Sequence, residues 1–316
     1  MNSGPGKDVR VLSVKTGSGF QFSVIPDRGM DIYQAEYQGN SLEWRSNTGL
    51  ISPYFYEKDG IGWLRNFFGG LLTTCGLTYA GASDEKNGLH GRINNIPADE
   101  VNILKYWQNN EYIFEITGVV KEVSVFGDAL KLTRKIQTKL GEDKLFIQDK
   151  VENIGFKKSP LMIIYHINIG YPLLDSNAKL ITNENSIVSR DEEAEKGKGQ
   201  EKIFSEPLEN FKEQVFYFDL KQDSFGYSKV ALVNEKIPLG VYVKYKKDTL
   251  PRFTEWKMMG CGEYVVGLEP SNCYPEGRKK EKERGTLIEI NPQEIITFEL
   301  EIGILDTKEK CCSQIF

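Results

Sequence analysis

Apolar and polar residues alternate one by one through much of this 316-residue chain, and no stretch sustains a helical period. The alternation is plain in Phe20–Ile25, Asp31–Tyr37, Tyr112–Val120, Ala129–Thr138, Lys144–Asn153, Leu239–Tyr245, Thr286–Ile290 and Ile295–Leu305. Side chains on a strand point to opposite faces in turn, so this pattern predicts strands with one face buried. Turn residues punctuate them at Gly39-Asn40, Asn109-Asn110, Gly141-Glu142-Asp143 and Asn153-Ile154-Gly155. Only Gly62–Phe68 and Glu206–Lys212 suggest short helical turns. The charge-dense Arg190–Lys202 reads as a solvated loop, Glu276–Gly285 as a mobile hairpin tip, and Thr307–Phe316 as a loose tail. Strands flank every candidate break, so the expectation is an all-β, antiparallel chain forming one domain over residues 1–316.

Composition narrows the partners. Hydrophobic residues make up 40% of the chain, enough for a sizeable core, and the formal charge is only −5. So even a balance leaves no basic footprint for nucleic acid or an anionic membrane, and a small molecule is the natural partner. No apolar window reaches the ~20 residues that span a bilayer. The first residues lack a basic stretch followed by an apolar run, so no secretory signal is expected and a cytoplasmic location is. Five scattered cysteines, Cys75, Cys261, Cys273, Cys311 and Cys312, form neither metal-type pairs nor a disulfide framework and read as reduced thiols.

The chain contains two histidines. His90 lies in Gly88-Leu89-His90-Gly91-Arg92, where glycines let the backbone turn tightly and approach a ligand. His166 lies near the end of the apolar run Leu161–Ile169, and its spacing of two from Asn168 puts both on one strand face. Taken singly, each also fits a core or turn histidine. A third feature shifts the balance: the apolar strand within Gly262–Asn272 ends in Glu269, and desolvating a carboxylate is costly. Either an arginine such as Arg28, Arg65, Arg92 or Arg278 pairs with it, or it is a base with a raised pKa. Beside it in sequence, Arg252–Gly262 offers Trp256 as a platform for a sugar face, with Glu255 and Lys257 as polar neighbours. Nothing has the spacing of a metal site, a nucleotide-binding glycine loop or a serine-hydrolase elbow.

The order of Pro26–Ile32 (PDRGMDI), Gly69–Leu77 (GGLLTTCGL), Leu89–Arg92 (LHGR), Val151–Pro172 with its HINIGYP end, and Tyr264–Pro270 (YVVGLEP) resembles the aldose 1-epimerase, or galactose mutarotase-like, superfamily. The resemblance runs from about Val9 to about Leu305. It implies an antiparallel β-supersandwich and an isomerase that interconverts the anomers of an aldose or modified sugar without cofactor or metal. It implies His166 as general acid, Glu269 as general base and His90 as a sugar ligand. Histidine suits an acid role because its ordinary pKa, about 6.5, lies near neutrality.

The chain departs from that family in two places. Well-studied members carry an arginine where Phe68–Leu77 has none, and an aspartate between acid and base that no motif here identifies. Arg28, Arg92, Glu255 or Lys257 are the candidate substitutes, with Asn168 and Trp256 completing the expected sugar shell. Another carbohydrate isomerase or lyase on the same fold, or a non-catalytic sugar-binding module, stays open at this point.

Overall fold

The computed structural model describes residues 1–306. Its main body is two antiparallel sheets. One has eight strands in the order Ala178–Thr182, Tyr227–Asn234, Leu239–Lys246, Ile295–Asp306, Lys144–Asn153, Ala129–Lys139, Glu111–Val123 and Asp99–Gln108. The other has six, in the order Glu184–Ser189, Gln214–Leu220, Arg252–Met259, Tyr264–Ser271, Met162–Ile169 and Thr73–Leu77. A smaller sheet of four, spanning Leu12 to Ser41, and a two-strand bridge between Ser159–Pro160 and Glu289–Ile290 complete the set.

One large apolar core joins Ile163, Tyr165, Ile167, Phe216, Phe253 and Leu268 of the six-stranded sheet to Leu132, Ile147, Val241, Phe298 and Leu300 of the eight-stranded sheet. The Met162–Ile169 strand is buried on both faces. Its odd-numbered residues enter this core, while Met162 and Ile164 join a second cluster with Trp63, Phe67, Cys75 and Cys273 on the other side. That second side of the sheet carries the site described below.

A charged knot pins the two sheets together. Arg134, fully buried, donates to Asp149 at 2.6 Å, to Asp31 at 2.9 Å and to the Thr74 hydroxyl at 2.9 Å. Tyr165 adds its hydroxyl to Asp149 at 2.7 Å. Asp31 is the last aspartate of the Pro26–Asp31 turn, so this motif is structural: it anchors the Thr73–Leu77 strand through Thr74.

The alternation located the strands closely, with three corrections. Glu276–Gly285 is not a hairpin tip: Arg278–Arg284 is a helix, closed by Gly285 in the left-handed conformation at φ 70°. Its charges pair along one flank, Lys280 and Arg284 both with Glu276, while buried Glu281 accepts from the Thr286 hydroxyl. Dense charge hid it, because an apolar stripe is what marks a helix in sequence. The run Thr286–Ile290 contributes only Glu289–Ile290 as strand. Arg190–Lys202 holds a single helical turn, Glu192–Glu195, capped by Asp191 accepting from the Ala194 amide. The tail Thr307–Phe316, with Cys311 and Cys312, lies outside the described residues; Cys75, Cys261 and Cys273 are free thiols. No helix among the described residues is long and apolar enough to cross a membrane.

Candidate active site

Strand register assembles the centre of the site. Ile164 pairs with Ser271 and Ile167 with Leu268, so His166 lies directly across from Glu269 on the neighbouring strand. Both point away from the main core, and His166 Nε2 stands 3.2 Å from Glu269 Oε1. The pair is sequestered, with exposures of 4% and 2%. No arginine reaches Glu269 among the described residues; the imidazole is its partner.

Aromatic rings wall the pair in. Phe67 and Trp256 stand edge-on to His166, with ring centres at 5.2 and 5.3 Å. Trp44 leans on Trp256 and Phe67, and Trp63 stacks on Phe67 at 4.4 Å. Such a box presents flat apolar faces beside polar atoms, the combination that binds a sugar ring. Trp256 is held in place by its indole N–H, which donates to Glu213 at 2.8 Å.

His90 enters from the opposite wall. Its ring centre lies 6.0 Å from that of His166 at nearly a right angle, and 4.8 Å from Trp63. The loop that carries it is tightly wound. His90 itself sits in the left-handed region at φ 58°, a conformation costly for a non-glycine residue and concentrated at functional sites. Gly91 follows at φ 72°, and a Cβ there would meet the Tyr79 carbonyl at 2.2 Å. The glycine is required by that close approach.

Burial governs the electrostatics. It lowers His166 to about 3, with His90 pressing in the same direction and Asn168 opposing. It raises Glu269 to about 8, helped by Glu213 and opposed by Arg190. His90 falls to about 4, again through burial, with Glu213 opposing. From about pH 3 to about pH 8 the His166–Glu269 pair therefore holds one proton between them. One member can give a proton while the other takes one.

Unsatisfied polar atoms mark the same sheet face. Among the described residues, the Nδ1 atoms of His90 and His166, the hydroxyls of Tyr217, Thr254 and Ser271, and the Arg252 Nε are buried without a hydrogen-bond partner. Tyr217, Thr254, Glu269, His166 and Thr73 form one row across five adjacent strands. Buried polar groups are nearly always paired, so a row of unpaired ones on one face points to a ligand.

Four expected sugar contacts lie elsewhere. Arg28 is fully buried, and its three donors go to the backbone carbonyls of Asn94, Ile51 and Asn66; it ties loops together. Arg92 is exposed and lines a separate cavity of about 530 Å³ with Tyr79, Glu122 and Arg278, behind the His90 loop. Glu255 and Lys257 flank Trp256 in sequence, so they point through the sheet to its other face. Glu255 sits between Phe216 and Leu268 of the core, and Lys257 donates to the carbonyls of Gln200 and Ile203. Burial raises Glu255 and lowers Lys257. Asn168 is fully buried beside the site, its amide donating to the carbonyls of Gly70 and His166; it braces the floor.

Sequence reasoning passed over Trp44, Trp63, Phe67 and Glu213, which reach the site from distant loops. It also passed over Gly267, whose position two residues before Glu269 was a readable signal. A Cβ at Gly267 would stand 2.8 Å from Glu269 Oε1 and 3.1 Å from His166 Cε1. The missing side chain is what lets the carboxylate and the imidazole sit this close to the strand beside Trp256. Gly267→Ala, whose methyl would displace the carboxylate or the imidazole, is expected to lower turnover in a sugar-conversion assay while circular dichroism shows an intact fold; wild-type kinetics in that variant would mean that the placement of the pair does not matter.

Solved structures share this architecture. A Klebsiella pneumoniae protein provisionally assigned as an aldose 1-epimerase superposes with a TM-score of 0.93 at 25% identity, over 98% of this chain and 83% of its own. A galactose mutarotase-like protein from Clostridium acetobutylicum gives 0.65 at 16% identity, over 95% and 99%. The galactose 1-epimerase of Lactobacillus acidophilus gives 0.61 at 14%, over 97% of both chains. No curated protein matches the chain in sequence. The model of the family described as a domain of unknown function, DUF4432, matches residues 6–304. The fold is thus that of the galactose mutarotase-like proteins, and the chain belongs to the DUF4432 family.

Proposed function

We propose that the protein is an isomerase of the aldose 1-epimerase type, interconverting the α and β anomers of a sugar. The observation that carries this reading is the facing His166–Glu269 pair, sharing one proton on the floor of an aromatic recess. Mutarotation needs one proton removed and one delivered, at two oxygens of the same ring. Glu269 as carboxylate takes the proton of the anomeric hydroxyl while His166 as imidazolium protonates the ring oxygen. The bond between the anomeric carbon and the ring oxygen breaks, leaving an open-chain aldehyde. Rotation about the adjacent carbon–carbon bond presents the other carbonyl face, and the reverse transfers close the ring.

The resting pair keeps its proton on Glu269, since burial disfavours both charged forms. Transfer across the 3.2 Å contact gives the carboxylate–imidazolium form without any proton from solvent. His90, with a free Nδ1, holds a sugar hydroxyl, and Trp256 and Phe67 pack on the ring. Each proton transfer by a positioned side chain typically contributes about 10²–10⁴-fold.

The test is NMR exchange between anomers, or polarimetry, over a panel of aldoses and modified sugars. Acceleration supports the reading; an irreversible new product, or binding without exchange, overturns it. The pH profile of kcat/KM is expected to be level through neutrality and to fall as pH rises through about 8. Above that value the pair loses its proton, leaving a base without an acid. An activity that climbs steadily beyond pH 9 would contradict the shared-proton pair.

A further inference from the structure

A cavity of about 370 Å³ opens at the far end of the row that carries Glu269, and its lining includes Arg190, Tyr217, Arg252, Tyr274, Glu276 and Arg284. Register fixes its relation to the proposed catalytic pair. Thr254 pairs with Glu269 on one side and with Tyr217 on the other; Arg252, two residues from Thr254, faces the same way and pairs with Ser271. Strand spacing and rise put the Arg252 backbone ~8 Å from that of Glu269. Between them lie the Thr254 and Ser271 hydroxyls, and beside them that of Tyr217, all buried without a partner. Tyr217 belongs both to this row and to the lining, so the row of polar groups that starts at the pair ends at the cavity.

The charged groups of this cavity are ion-paired, with one exception. Arg190 is held by Asp191 and Glu213, and Arg284 by Glu276 and Glu281. The Asp219 carboxylate, also in the lining, is paired with Lys247 at 2.9 Å. Arg252 alone among these arginines has no ion pair within the described residues. Its guanidinium lies over the Tyr274 ring at 4.9 Å, with Arg284 over the same ring at 5.0 Å, and its Nε is buried and unbonded. A planar guanidinium held against a ring keeps its N–H fork in one orientation, which suits two oxygens of a carboxylate or phosphate.

We propose that this cavity binds an anionic substituent of the substrate, so that the sugar is a uronate or a sugar phosphate and not a neutral aldose. The proposal rests on the mutarotase reading for the placement of the ring over His166 and Glu269. The ring then lies in the aromatic recess, and its anionic group extends past Thr254 and Ser271 to Arg252. Tyr217 and Ser271 give it neutral donors that flank the guanidinium.

Anomer exchange of D-glucose, D-galactose, D-glucuronate and D-glucose 6-phosphate by the wild-type protein tests it, alongside Arg252→Gln and Arg252→Lys. One of the two anionic sugars is expected to show the highest kcat/KM, and which one it is separates carboxylate from phosphate. Arg252→Gln should lower the ratio of kcat/KM for that sugar over D-glucose at least about tenfold, mainly through KM, with partial recovery in Arg252→Lys. A wild-type protein that exchanges neutral and anionic sugars equally, or an unchanged ratio in Arg252→Gln, overturns the subsite. If no sugar is exchanged, the mutarotase reading fails, and calorimetry with the same four sugars decides the cavity separately. Binding of an anionic sugar that is lost in Arg252→Gln upholds the subsite; binding of neither anionic sugar overturns it.

Discussion

Glu269→Gln is expected to lower kcat/KM for anomer exchange about 10²–10⁴-fold, the span typical of a lost proton-transfer group. Glutamine keeps the shape and can still contact His166 Nε2, but it cannot hold the shared proton. The fold should not suffer. Glu269 is buried with one partner, and replacing a buried carboxyl with a neutral isostere removes a desolvation cost, so the melting temperature should stay level or rise. That divergence separates catalysis from structure. Combining Glu269→Gln with His166→Asn should cost little more than either alone, since the two act as a unit. Additive losses, or a Glu269→Gln protein with wild-type kinetics, would sink the assignment.

Arg134→Met is expected to have the largest effect on stability, about 3–5 kcal/mol, as for other buried ion clusters stripped of one member. The loss would leave Asp149 and Asp31 buried without their cation, while Tyr165 and Thr74 supply only neutral hydrogen bonds. Because Thr74 adjoins Thr73, which pairs with His166, loosening this knot would also disturb the site floor. Thermal melts followed by circular dichroism measure it. A midpoint unchanged from wild type would show that the cluster is not holding the sheets together.

The strands and the face that carries His166 were legible because both rest on a period of two, whereas Glu269 was marked by a carboxylate ending an apolar strand and by the family resemblance. Alternation marked the Phe20–Ile25, Asp31–Tyr37 and Lys144–Asn153 strands at the bounds the structure gives them. The same rule placed His166 on the face opposite Tyr165 and Ile167. Applied to Arg252–Met259, it would have sent Glu255 and Lys257 away from Trp256; adjacency in sequence was mistaken for adjacency in space. Arg28 was misread for another reason: its environment is made of loop carbonyls that no local pattern reveals. Trp44, Trp63, Phe67 and Glu213 belong to connections between strands, and only the closed tertiary structure brings them to His166. That Arg252 has no ion pair among the described residues was equally hidden, because whether a guanidinium has a carboxylate within reach is a property of the folded surface.

The double-faced burial of the Met162–Ile169 strand has an evolutionary corollary. Odd positions answer to the main core and even positions to the side that carries the second apolar cluster and the proposed site, so the two sets of selective demands fall on different residues of one segment. Substitutions at even positions act on the site side of the sheet without repacking the core between the sheets. Insertion or deletion of a single residue has the opposite consequence: it exchanges the two sets at once, sending the imidazole into the hydrocarbon interior and Tyr165 to the ligand. This segment can therefore diversify by replacement but not by change of length.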